Sequence, residues 1–192
     1  MNKKIILPAF IIMVLAQWYV PGSMIFNREK VLSDGKEFRF KAAPVDPYDP
    51  FRGKYIVLSF EENAAQVTDV SDWTYGDPVY VSLVEDENGF AKIQSISNEE
   101  PVGASDYVLA SINFFMEDSL SNVVIDYPFN RFYMEESKAY DAEHAYNESL
   151  RDTSGVTFAI VSIKNGDAVI KDVFINGIPI KEAARIRNEN QN

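Results

Sequence analysis

The chain contains no cysteine and only one histidine. The first absence removes disulfides, thiolate metal sites, cysteine nucleophiles and lipidated cysteines together, and it leaves the redox compartment open. The second means that any Ser-His-Asp chemistry would have to use His144, which no G-x-S-x-G motif accompanies and which sits in an acidic, helix-forming stretch. Clusters of basic residues are lacking too. Eighteen Lys and Arg face 29 Asp and Glu, a net charge of −11, which argues against nucleic acid as a partner. Apolar residues are not scarce: the hydrophobic fraction is 46%, with 13 Phe and 10 Tyr in 192 residues, enough for one folded domain with its own core.

Charge is also missing locally. Residues 5 to 26, IILPAFIIMVLAQWYVPGSMIF, carry no charged side chain, and at about 1.5 Å per helical residue they match a hydrocarbon layer of about 30 Å. Lys3 and Lys4 precede the run, and Trp18 and Tyr19 lie near its far end as interfacial aromatics do. Pro8 falls in the first turns, and Pro21-Gly22 marks an expected helix stop. A cleaved signal peptide fits the same pattern, but no A-x-A site precedes Met24. The reading is a cytoplasmic N-terminus at 1–4, a transmembrane anchor at 5–26 and an extracytoplasmic domain at 27–192. Arg28 and Lys30 run against the charge asymmetry that sets this orientation. Setting aside Lys3 and Lys4 leaves 16 basic against 29 acidic residues, a balance of −13 for the remainder.

Beyond residue 30, short runs of β-formers alternate with Asp34-Gly35, Asn88-Gly89, Asn165-Gly166 and Asn176-Gly177, dipeptides that favour tight hairpin turns. Strands are predicted at KEFRFKA, KYIVLSFE, PVYVSLVEDE, FAKIQSIS, YVLASINFF, NVVIDY, TFAIVSIK and AVIKDVFI. Ile93 and the residues two positions either side should share a face by period-two alternation. One segment, Glu135 to Asp152, has helical composition, with Ala139, Ala142, Ala145 and Tyr146 forming an apolar stripe. The C-terminal KEAARIRNENQN starts a short helix that frays. The fold class expected is mostly β (α+β), an antiparallel, hairpin-rich domain of about seven to ten strands with one short helix, by the hairpin spacing.

Three ordered blocks carry a family resemblance. Gly53-Lys54-Tyr55-Ile56-Val57-Leu58-Ser59-Phe60, preceded by Pro44, Asp46, Pro47, Asp49 and Arg52, resembles the naming motif of the GDYXXLXY proteins. RFYMEESK, Arg131 to Lys138, and AVIKDVFING, Ala168 to Gly177, are similar to later motifs of the same family. The resemblance implies a membrane-anchored bacterial protein of no established activity, often encoded beside or fused to multi-pass membrane proteins. Lys54 replaces the naming Asp, Phe60 the final Tyr, and Glu135 and Ser137 stand where Pro and Gly are usual. These departures favour a structural role for Gly53, Tyr55, Leu58 and Phe60. In a strand, Ile56, Leu58 and Phe60 point to one face, and a Tyr to Phe change there keeps the packing.

Against that structural role stands a candidate ligand or cation site at Asp46, Asp49, Arg52 and Glu136, whose charges suit a polar ligand. The alternative for these residues is an Asx-turn and ion pair that fix the Pro-rich loop. Asp69, Asp72 and Asp77 lack calcium-loop spacing, and no cofactor or metal is predicted. Ser23, directly after the apolar run, faintly resembles the serine of type I signal peptidases, but no matching lysine motif follows. Trp73, Tyr75, Tyr127 and Phe129 are offered as a docking surface or as core. The function expected is binding, as a non-catalytic accessory subunit beside a multi-pass membrane protein, with no nucleic acid and a single membrane span.

Overall fold

A computed structural model describes residues 3–44, 55–69, 72–104, 106–116, 122–151 and 155–191. It opens with one long helix, α1 (Lys3–Asp34). The helix is long and apolar enough to cross a membrane: its most apolar 18-residue stretch has a mean hydropathy of 1.7 and is not buried anywhere in the protein. The expected stop at Pro21-Gly22 is not where the helix ends. Pro21 removes a single donor from the ladder, whereas Met24 to Leu32 restores helix-forming residues and buries Val31 against the domain. The end comes at Gly35, whose N–H donates to the Val31 carbonyl at 2.9 Å. A Cβ on Gly35 would collide with that same carbonyl oxygen. Asp34-Gly35 is therefore a helix-to-strand joint that needs space, not the hairpin its sequence suggests. Lys164 locks it from the neighbouring strand, its Nζ donating to Asp34 at 2.9 Å.

The domain is antiparallel and β-rich, as expected. Its strands are β1 (Lys36–Ala43), β2 (Tyr55–Val57), β3 (Ser59–Phe60), β4 (Ala64–Gln66), β5 (Pro78–Glu85), β6 (Ala91–Ser97), β7 (Tyr107–Met116), β8 (Asn122–Asp126), β9 (Arg131–Tyr133), β10 (Thr157–Lys164), β11 (Asp167–Ile175) and β12 (Ile178–Pro179). They form a five-stranded sheet in the order β12-β11-β10-β1-β3, another in the order β4-β8-β7-β5-β6, and the pair β2-β9. Twelve strands among the described residues exceed the expected number because short pieces pair separately. In place of one helix, α2 (Glu136–Arg151) is joined by α3 (Ile180–Gln191), so the C-terminal stretch forms about three turns packed on α2.

Alternation explains most of the core. Phe38, Phe40 and Ala42 of β1 and Val79, Val81 and Leu83 of β5 are buried at every second position. Bulges interrupt it. Between β5 and β6, Ser82 pairs with Ser95 and Leu83 with Ile93, which leaves Gln94 as the extra residue. Ile93 and Ile96, three apart, consequently both pack on the core while Ser95 is exposed. The apolar stripe of α2 is buried through Ala139, Ala142 and Tyr146, and α3 adds Ile180 and Ala184 to the same core. Three of the four dipeptides make hairpin turns. Asn165 and Asn176 adopt φ of 50° and 52°, each followed by a glycine with positive φ, the backbone of a type I′ turn.

Candidate functional site

The motif run beginning at Tyr55 is not one strand. β2 pairs with β9, Tyr55 opposite Tyr133 and Val57 opposite Arg131, whereas β3 pairs with β1, Phe60 opposite Ala42. Leu58 makes the crossing, its N–H donating to the Asn130 carbonyl at 2.9 Å. Ile56, Leu58 and Phe60 are nonetheless buried along one face, as alternation requires. Phe60 lies in an aromatic cluster with Phe40 and Phe129 at centroid distances of 5.3 and 5.5 Å. Tyr127 and Phe129 stack within the same cluster and are buried, so these two belong to the core and not to a docking surface. Burial pushes the Tyr127 hydroxyl well above its ordinary range, and it donates to the Glu62 carbonyl at 2.9 Å. Trp73 packs at the edge of the core, and Tyr75 is exposed.

The pairing of β2 with β9 and the contact of β9 with β11 bring the described parts of all three motif blocks together at the foot of α1. Two adjoining cavities of about 380 and 370 Å³ open there, and both are lined by Arg28, Pro128, Ala168 and Val169. The wall contributed by α1 is Met24, Asn27, Arg28 and Val31, spacings of three and four that place them on one helix face. Arg131 and Tyr133 line the second cavity. The Arg131 guanidinium lies 5.2 Å from the Tyr55 ring centroid, and the Tyr55 and Tyr133 rings are 5.4 Å apart. The groove is an aromatic and cationic surface in an acidic protein, and among the described residues Asp167 is the acid in its lining.

The predicted site residues fall differently. Asp46, Asp49, Arg52 and Gly53 lie outside the described residues, and so does the side chain of Glu136, which opens α2. Tyr55 lies beside the groove, whereas Leu58 and Phe60 belong to the core. Glu135 starts α2 by accepting the N–H groups of Lys138 and Ala139 at 2.9 and 3.0 Å, and the Lys138 ammonium holds its carboxyl below the usual range. His144 is exposed on α2 against the Tyr140 ring. Ser23 donates its hydroxyl to the Val20 carbonyl within α1 at 2.8 Å. Arg28, Arg131 and Tyr133 were not singled out from the sequence as a site. The available signals were that Arg28 is the first cation after the apolar run and that Arg131 and Tyr133 fall inside a motif block.

A family model for the GDYXXLXY protein matches residues 17–173. The chain belongs to the GDYXXLXY family. The match begins inside α1 and ends inside β11, so the groove-lining residues of this GDYXXLXY protein, Met24 to Ile170, all lie within it. No curated protein and no solved structure matches the chain.

Proposed function

We propose that this GDYXXLXY protein is a single-span anchor and extracytoplasmic domain of the bacterial cytoplasmic membrane. In this reading residues 1–4 are cytoplasmic, 5–26 cross the bilayer and 27–192 face the periplasm or exterior. The domain acts by binding, as an accessory subunit beside a multi-pass membrane protein. The observation that carries this reading is the bare helix. Ile12, Trp18 and Phe26 are 67%, 77% and 69% exposed on α1, whereas the domain below closes its own core. An apolar surface of that length is stable in lipid or against another membrane helix. The joint at Gly35 adds a mechanical argument, because the helix runs straight into β1 and transmits its position in the bilayer to the sheet.

The test is purification of the full-length protein from membranes of its own cell in mild detergent, with mass spectrometry of what accompanies it. A multi-pass protein in stoichiometric amount is the expected result. Recovery of the chain alone, still membrane-bound before extraction, overturns the accessory role and leaves the anchor standing.

A further inference from the structure

We propose that the groove at the foot of α1 binds the phosphate of an anionic membrane phospholipid, held between Arg28 and Arg131. The inference rests on the reading that α1 crosses a bilayer. Both side chains are exposed and line the same cavity. Among the described residues neither forms an ion pair, and the Arg131 guanidinium instead lies over the Tyr55 ring at the rim of that cavity. Two guanidinium groups beside one cavity of an acidic protein, without a carboxylate partner among the described residues, are complementary to a phosphate, which each can grip through two parallel N–H groups. Asp167 in the adjoining cavity leaves a local balance of one positive charge from the three groups.

Position supplies the second argument. The uncharged run ends at Phe26 and Arg28 follows two residues later, about 3 Å further along the helix axis. That is the depth of lipid headgroups when residues 5 to 26 occupy the hydrocarbon. Met24, on the same wall as Arg28, reaches back toward the acyl region, and Leu109 and Val169 extend the apolar side. Tyr133, 64% exposed beside Arg131, has the apolar body and polar tip found at membrane interfaces. The cation that opposes the orientation signal in the sequence thus acquires a role on the side where it sits.

The full-length protein in detergent, titrated with phosphatidylglycerol and separately with phosphatidylcholine, is to be read by native mass spectrometry. One retained phosphatidylglycerol per chain is expected, with retention lowered at least about tenfold in Arg28→Gln and in Arg131→Gln. In the unaltered protein, a photoreactive phosphatidylglycerol should label the segments around 128–133 and 166–169. Equal retention in the variants, labelling confined to other segments, or equal binding of both lipids overturns the proposal. Displacement by millimolar inorganic phosphate with no preference between lipids identifies a free-phosphate site and also overturns it. Loss of a co-purifying protein from the arginine variants with lipid retention unchanged assigns the groove to a protein partner instead. Alkaline extraction of the starting membranes reports the anchor separately: a chain washed out fails the membrane reading itself, and a chain retained without lipid selectivity fails only this inference.

Discussion

Tyr107 shows how one residue ties separate elements. Its ring is buried, its hydroxyl donates to Glu100, and its carbonyl accepts the Gly166 N–H at 3.1 Å. The Gly166 carbonyl in turn accepts from Leu109 at 3.0 Å, so the β10–β11 turn docks on β7. Hydrogen bonding to Glu100, followed by desolvation, raises the Tyr107 hydroxyl from 10.0 to about 12. A group whose folded value lies above its unfolded value stabilises the fold fully below the unfolded value. That contribution is lost as pH rises from about 10 to 12. Tyr107→Phe should therefore melt below the parent protein at pH 8, with the gap closing above pH 10. A gap of constant size across that window in thermal melts would show that the Glu100 hydrogen bond contributes nothing. Residue-level chemistry was partly legible: Asn165-Gly166 and Asn176-Gly177 adopt the positive φ their side chains tolerate. Asp34-Gly35 misled because local chemistry does not reveal that Gly35 faces the Val31 and Ile163 backbones.

At the scale of elements, the family motif divides between two jobs. Facing was legible, because a period of two follows from the pleat alone, and Ile56, Leu58 and Phe60 are buried as predicted. The division of the run into β2 and β3 was not, since partner choice depends on β9 and β1, which come from distant parts of the chain. The bulge at Gln94 was hidden for the same reason. Phe60 is 4% exposed within its aromatic cluster, and Phe60→Ala should cost about 3–5 kcal/mol in denaturant unfolding. Tyr55→Ala, at the half-buried end of the same motif, removes a ring contact and a cation–π contact worth about 1 kcal/mol each. Near-equal losses from the two substitutions would contradict the division into a core half and a groove-side half. If Phe60→Ala kept the stability of the parent and abolished partner binding, the motif would be a recognition element and its structural reading would fall.

For the whole molecule, the sequence made the apolar helix, the β-rich class and the stripe of α2 legible, each being a pattern within one segment. The groove was not legible, because Arg28, Arg131 and Val169 meet only after α1, β9 and β11 have packed. The candidate cluster at Asp46, Asp49, Arg52 and Glu136 rested on charge type and motif position, neither of which states a distance. The absence of cysteine now becomes an experimental advantage, since any introduced thiol is the only one in the chain. Val102 lies in a turn of the domain and is 102% exposed, so Val102→Cys should be neutral for folding and open to reagents. If residues 27–192 lie outside the cytoplasm, as proposed, a membrane-impermeant maleimide added to intact cells, their outer layers opened where necessary, should label Val102→Cys at once. Asn2→Cys should react only after the cytoplasmic membrane is permeabilised. The opposite pattern would invert the topology and place the acidic domain in the cytoplasm. Arg28 and Lys30 would then join Lys3 and Lys4 in a contest of positive charges across the span, which the C-terminal pair would have won.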